Sequence, residues 1–300
     1  MTSDSDEWRA VNAIMQERHI ESCPVGCAAP LAATDIALPE GPLLRCTACG
    51  QLLSQASAAR YWETMAQFNH TDYNHPVGRE LGRRDDVARR RLLRLAQLLE
   101  KTPHGLRLLD VGCSRGQFVR AAAQLGFDAE GVEPAPQVAA AALASGLKVH
   151  QGLLEEQRFP AASFDALTLF EVIEHLKDPR LLLGECRRVL KPGGMLVIST
   201  GNTASWTAAT MKSRWDYFQI AKDGGHISFF NPSSLRRLAA NCGFVVERID
   251  TARVKFHEKE DSALWLYATG KMVAELLNVP ARALGKGHDM LAYLRRPGAD

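Results

Sequence analysis

The chain has 300 residues, room for one large domain and an accessory one. A hydrophobic fraction of 46% is that of a globular protein and excludes a disordered one. The formal net charge of +2 neither requires nor excludes a polyanionic partner, and no apolar run approaches the ~18–20 residues of a membrane span.

The opening MTSDSDEWRA has neither a basic n-region nor an apolar h-region. It therefore reads without a signal peptide, and the expectation is a cytoplasmic protein with no membrane partner. In a reducing compartment the seven cysteines are expected as thiols. Four of them form two pairs, Cys23-Pro-Val-Gly-Cys27 and Cys46-Thr-Ala-Cys49-Gly50. Thiolates two or three residues apart on tight turns converge on one metal, and two such turns complete a tetrahedral zinc site. Gly50 stands where such a knuckle requires positive φ. Four sulfurs close the coordination sphere, so the expected Zn²⁺ is structural. Arg45 is the only basic residue between Cys23 and Cys49, which favours a packing or covering role over nucleic-acid binding. Cys113, Cys186 and Cys242 are isolated and read as packing residues.

Residues 1–58 are thus expected as a zinc-ribbon-like segment. Residues 59–104 follow as a helical bridge or lid: the aromatic-rich YWETMAQF, the polar loop HTDYNHPVG, and a basic amphipathic helix over Arg83–Lys101. The arginines at 83, 84, 89, 90, 91 and 94 read either as a solvated face or as a nucleic-acid contact.

Residues Leu108–Phe118, LLDVGCSRGQF, run from a buried strand ending on an acid, through a small-residue turn, into an apolar helix. Such a turn lets a ligand approach the backbone and leaves helix N–H groups free. It resembles motif I of the class I S-adenosylmethionine (SAM) methyltransferases, D/E-x-G-x-G-x-G. The resemblance implies a cofactor turn of Asp110, Gly112, Ser114 and Gly116. Ser114 replaces the middle glycine, a departure that is tolerable if this position keeps a negative φ.

A second strand over Asp128–Val132 ends at Glu133 and Pro134, where an acid accepts both hydroxyls of a ribose. VHQG at 149–152 fits a third strand, and Leu153–Glu156 lies where the resemblance puts adenine. SFDALTLF at 163–170 is the fourth strand, with Phe170 counted among the cofactor residues. LKPGG at 190–194 reads as a helix end and turn, MLVIST at 195–200 as the fifth strand. Near the end, GKGHDMLAYLRRP resembles the last strand of this family, inserted antiparallel. The expected architecture is α/β: a doubly wound, mostly parallel, seven-stranded Rossmann-like sheet over residues 105–300, with substrate-covering insertions at 201–230 and 257–280. Trp206, Trp215, Tyr217 and Phe218 in the first insertion wall a pocket or form satellite core, and Asp261–Leu277 reads as an amphipathic helix.

Directly after the fourth strand come Glu171, Glu174 and His175, spaced i, i+3, i+4 and so on one face of a helical turn. His226 follows a glycine-loosened stretch, ahead of a helix capped at Asn231 or Ser233 and stopped by Gly243. E-x-x-E-H resembles the magnesium-dependent ubiquinone-pathway O-methyltransferases. With the later histidine it also resembles the small-RNA 3′-end 2′-O-methyltransferases. That implies a possible Mg²⁺ at Glu171, Glu174, His175 and His226. Without a metal, His226 serves as the general base, or these residues only shape the cofactor pocket. The leading expectation is a SAM-dependent methyltransferase acting on a small-molecule acceptor of a biosynthetic or specialised-metabolite pathway, by O-methylation. Alternatives are an RNA 2′-O-methyltransferase, a sugar C-methyltransferase (suggested by the ribbon-plus-core layout) and a non-catalytic SAM-binding protein.

Overall fold

The computed structural model describes residues 15–69, 79–221, 225–256 and 264–298. The polar loop expected at 70–78 and the start of the helix expected from 261 lie outside them. The N-terminal part forms strands β1 (Leu31–Leu38), β2 (Gly41–Cys46) and β3 (Leu52–Leu53). Helix α1 (Ala58–Met65) follows, capped by the Ser57 hydroxyl, which accepts from the Arg60 amide. The basic helix, α2, spans Arg79–Leu98. Its buried seam of Leu92, Leu95 and Ala96 packs on the large sheet described next, which fixes the helix as part of the fold.

The α/β part alternates β4 (Arg107–Val111), α3 (Gln117–Gln124), β5 (Asp128–Glu133), α4 (Pro136–Ala144), β6 (Val149–Gln151), β7 (Phe164–Phe170), α5 (Pro179–Val189) and β8 (Leu190–Gly201). After α6 (Trp206–Met211) come β9 (Ser228–Phe229), α7 (Pro232–Asn241), β10 (Val245–Ala252), α8 (Leu264–Ala283) and β11 (Asp289–Arg295). The large sheet has the order β10-β11-β8-β7-β4-β5-β6. Strands β4 to β8 are parallel, and β11 enters antiparallel between β10 and β8. This is the doubly wound, mostly parallel seven-stranded sheet expected from the sequence.

Strand residues alternate between two cores. Leu109, Val111, Leu167, Leu169, Leu196 and Ile198 join one, and Leu108, Ala166, Met195 and Val197 join the other. Helices α2, α3 and α4 cover the second face, while α5 and α7 cover the first. Helix α7 starts where Asn231 accepts from the Ser233 and Ser234 amides while Ser234 Oγ accepts from the Asn231 amide, and Gly243 takes φ 73° at its end. The LKPGG stretch differs from its expectation: helix α5 ends at Val189 and β8 already begins at Leu190. A register shift against β7, between the Phe164 and Ala166 pairs, absorbs the two glycines.

A second, four-stranded antiparallel sheet has the order β1-β2-β3-β9. Its fourth strand comes from beyond the large sheet's β8, so the ribbon and the α/β part share one sheet. Trp215, Tyr217 and Phe218 are buried with Ile36, Leu38 and Leu43 of the ribbon and with Phe229. Of the two readings for these aromatics, the structure supports core. Trp206 packs against Val254, Ala274 and Ala281 instead.

Candidate active site

The cofactor turn follows from the end of β4. Asp110 is buried and accepts a 2.6 Å hydrogen bond from Thr168 Oγ1 of β7. Burial pushes its carboxyl up to about 7. Gly112 has φ 75°, and a Cβ there would sit 2.8 Å from Val172 Cγ2, so the turn lies directly against the segment after β7. Gly116, at φ 73°, opens α3. Ser114 departs from its expectation: its φ is +49°. The turn keeps the left-handed conformation of the replaced glycine, and the serine bears a strain of ~1–2 kcal/mol. The conformation aims the Ser114 amide at Glu133 Oε2, 2.8 Å away.

Glu133 is buried, and its other oxygen accepts from the Ala135 amide at 2.9 Å. Burial raises its pKa, and the two amides oppose that rise. Each oxygen keeps a lone pair for a further donor. Pro134 is exposed beside it. Leu153 is 53% exposed while Leu154 is buried, so the two residues divide between an open apolar face and the core.

Phe170 ends β7 between two partners. Phe118 meets it edge-on at 4.7 Å, and the Arg91 guanidinium lies 4.8 Å from its centroid. Arg91 makes no hydrogen bond or ion pair among the described residues. Its place between the buried Ala88 at i−3 and Leu95 at i+4 was the available signal, hidden among the other arginines of α2. The structure sets it apart from them, at the edge of the cofactor turn.

Beyond Phe170 the chain makes a strained corner, with Glu171 at φ 55°, then a single 3-10 turn over Ile173–His175. Glu174, His175 and His226 converge, each offering a ligand atom within 4.8 Å of the others. Glu171 lies at the edge of this trio: it is exposed and accepts from Ser199 Oγ at 2.7 Å, and its carboxyl also meets that of Glu174. The short turn, tighter than an α-helix, sends Glu174 inward and Glu171 outward.

Glu174 is fully buried, and Tyr217 Oη donates to it at 2.8 Å and Thr200 Oγ1 at 3.2 Å. Its carboxyl is raised well above its ordinary value by burial and, next, by the Glu171 charge. His226 is also buried; its Nδ1 lies 3.1 Å from the Tyr217 carbonyl, and its Nε2 lies 3.9 Å from Glu174 Oε1. A carbonyl only accepts, so Nδ1 carries the proton and Nε2 the lone pair. Burial lowers the imidazole to about 4, so it is neutral at physiological pH. His175 packs 4.6 Å from the His226 ring, and its carbonyl accepts from Tyr61 Oη at 2.9 Å. Tyr217, met in the sequence only as a wall or core aromatic, is thus a member of the polar network.

The four cysteines of the ribbon also converge. The sulfurs of Cys23, Cys27, Cys46 and Cys49 all lie within 4.8 Å of one another, and Cys23 and Cys49 are 3.6 Å apart. A metal with ~2.3 Å bonds to tetrahedral thiolates spaces its sulfurs at ~3.8 Å, so the donor set and spacing fit zinc. Cys23 is lowered to about 5, chiefly by its contact with Cys49. Magnesium fits the other trio poorly. Mg²⁺ prefers oxygen ligands and retains waters, whereas the trio supplies one carboxylate and two imidazoles, with the Glu171 carboxyl beside Glu174 the one further oxygen donor.

A family model described as a methyltransferase domain matches residues 79–249. A ubiquinone biosynthesis O-methyltransferase of Dinoroseobacter shibae is 30% identical over 216 residues, which cover 68% of this chain and 84% of that protein. One from Xanthomonas axonopodis pv. citri is 33% identical over 160 residues, 49% of this chain and 66% of that protein. Against one from Cereibacter sphaeroides, 36% identical, the chain spans 60% of the relative's length. A SAM-dependent methyltransferase structure from Archaeoglobus fulgidus shares the fold at a TM-score of 0.50 and 21% identity, covering 70% of this chain and 94% of that one. The chain belongs to the class I SAM-dependent methyltransferases, and SAM is the cofactor of that family. Among the described residues, no helix is long and apolar enough to cross a membrane.

Proposed function

We propose that this chain transfers the methyl group of SAM to a hydroxyl of a small biosynthetic acceptor, with His226 as the base. The observation that carries this reading is a buried, neutral imidazole beside Glu174, next to a segment packed on the cofactor turn. The activity for which the relatives are named, O-methylation in ubiquinone biosynthesis, supports oxygen as the acceptor atom.

In this reading Glu133 accepts from the two ribose hydroxyls through its remaining lone pairs. Gly112 and Gly116 admit the methionyl portion, and Leu153 lies along the adenine. Arg91, with its guanidinium on Phe170, pairs with the methionyl carboxylate. The acceptor hydroxyl gives its proton to His226 Nε2 as its oxygen bonds the methyl carbon. The carbon–sulfur bond breaks with its electron pair passing to sulfur. An imidazole lowered to about 4 by burial is a weak base in isolation. Glu174 corrects this: in its carboxylate form, 3.9 Å away, it stabilises His226 as the imidazole takes the acceptor's proton and becomes cationic. Tyr217 and Thr200 hold that carboxyl in place. No step needs a second metal, and the trio's donor set does not suit magnesium. A structural zinc is assigned to Cys23, Cys27, Cys46 and Cys49.

The test is incubation of the purified chain with methyl-labelled SAM and a panel of phenolic and enolic hydroxyl compounds, followed by mass spectrometry. A product heavier by one methyl on oxygen is expected. Methyl transfer only to nitrogen or carbon, or undiminished turnover in His226→Ala, would overturn the reading.

A further inference from the structure

The residues that carry His226 are held from two sides. On one side the Ile227 amide donates to the Glu174 carbonyl at 3.0 Å. On the other side the contacts come from the ribbon. The Ser54 amide donates to the Ile227 carbonyl at 2.9 Å, and β3 pairs with β9 at Leu53↔Ser228 and Leu52↔Phe229. Gln51 Nε2 donates to Ser228 Oγ at 2.8 Å, with both side chains buried. Asn231 Nδ2 lies 3.4 Å from the Cys49 carbonyl and so touches the second cysteine knuckle itself. The knuckle is closed by the Gly50 amide donating to the Cys46 carbonyl and the Cys46 amide to the Gln51 carbonyl, both at 2.9 Å. Gln51, which reaches Ser228, is thus two residues from the thiol of Cys49. The first knuckle is tied to the same region: Asn241 Nδ2 of α7 donates to the Val25 carbonyl at 2.8 Å.

We infer that the zinc held by Cys23, Cys27, Cys46 and Cys49 is a positioning centre for the acceptor side of the active site, fixing through β3 the strand β9 and with it the segment before it that carries His226. The cofactor side is tied to it only by apolar packing, because Asp110, Gly112 and Glu133 are set by the pairing of β4, β5, β6 and β7. Two strands of two residues each cannot hold a register by their own hydrogen bonds. Something must fix the ends of β3, and a metal clamp that closes the 46–49 turn does so at its first residue. A tetrathiolate centre carries two net negative charges, and two arginines face it. Arg237 Nη1 lies 3.6 Å from Cys27 Sγ, and the Arg180 side chain packs against Gly26. The inference rests on His226 acting on the acceptor; its structural half stands without that role.

The experiment compares the full chain before and after zinc is released by an organomercurial and a chelator, with the released metal quantified. Hydrogen exchange is followed on peptides covering 225–231 and 107–133, and S-adenosylhomocysteine binding is titrated. The expected result is one zinc per chain, at least tenfold faster exchange at 225–231 after release, and S-adenosylhomocysteine affinity changed less than about threefold. Gln51→Ala keeps all four thiolates and guards against global unfolding. It is expected to retain zinc, speed exchange at 225–231 and lower kcat several-fold with little change in KM for SAM. Substoichiometric zinc, unchanged exchange at 225–231 after release, or a Gln51→Ala variant identical to wild type would overturn the inference. If exchange rises as expected while His226→Ala keeps full turnover, the positioning role survives and the general-base reading falls.

Discussion

The two halves of the candidate site are built in opposite ways. The cofactor half is nearly contiguous: Asp110, Gly112, Ser114 and Gly116 lie on one strand–turn–helix, and Glu133 ends the neighbouring strand with matched register. Its contacts are backbone amides on a carboxylate, set by parallel pairing that the whole sheet enforces. The acceptor half is assembled from pieces far apart in the chain. Glu174 comes from the turn after β7, Thr200 from β8, Tyr217 from the connection beyond it and His226 from the residues just before a strand that completes another sheet. The contrast suggests a division in which the cofactor frame is held by the core and the acceptor frame by side-chain networks and the ribbon. Damage to one half is therefore expected to leave the other largely intact.

The sharpest break of that contrast is His226→Ala. A general base is worth ~10²–10⁴-fold. Turnover is expected to fall by at least about a hundredfold while S-adenosylhomocysteine affinity stays within a few-fold; steady-state kinetics beside calorimetry measures both. A loss below about tenfold removes the base. Its mirror image is Glu133→Ala. Losing hydrogen bonds from a charged acceptor costs ~1.5–3 kcal/mol apiece, so cofactor affinity is expected to drop at least tenfold. Undiminished binding would show that the ribose is held elsewhere.

The pH dependence of stability probes the acceptor half alone. Burial lowers His226 from 6.5 to about 4, so between those values the native state binds fewer protons than the unfolded chain. The stabilisation is present above about pH 6.5 and is lost as pH falls toward 4, ~3 kcal/mol in all. Glu174, raised by burial, has the opposite sign: its contribution is lost as pH rises above 4.5 toward its native value. The difference between wild type and His226→Gln in denaturant titrations from pH 4 to 7 isolates the imidazole. One common slope for both proteins would mean that this ring is not buried and neutral.

Smaller effects sharpen the cofactor side. Arg91→Ala is expected to raise KM for SAM about tenfold, the worth of one charge-assisted hydrogen bond, with kcat nearly unchanged. An equal loss with Arg90→Ala would make the effect one of general charge. Ser114→Gly relieves a φ of +49° and is expected to raise stability by up to ~1 kcal/mol. A lower melting temperature in that variant would mean that the serine side chain itself has a structural role.

Much of the cofactor half was legible because its signals are local. A strand ending on an acid, a glycine turn and a second acid at strand end are spaced by the geometry of one βαβ unit. The antiparallel last strand was legible too. The acceptor half gave up its members only in part. Glu174, His175 and His226 stood out by type, yet the helical face that grouped Glu171 with them is replaced by a 3-10 turn with Glu171 at φ 55°, which leaves Glu171 exposed with its carboxyl meeting that of Glu174. Tyr217 looked like any buried aromatic, since its hydroxyl partners are distant in sequence. Arg91 was hidden by the basic character of its helix. The β3–β9 pairing had no readable signal at all, as two-residue strands carry no periodicity.

That pairing also dictates an order of events during synthesis. Gln51 and Ser228 are separated by 177 positions, so the ribbon emerges from the ribosome long before its fourth strand exists. Until then β3 presents an unpaired edge, with Leu52 and Leu53 lacking the cover that Phe229 and Ile227 later supply. Metal captured early by the cysteine turns would preserve the docking template through this interval. The last element to be made in the ribbon's sheet is thus β9, which follows His226, and maturation of the acceptor side waits for the chain to return to where it began.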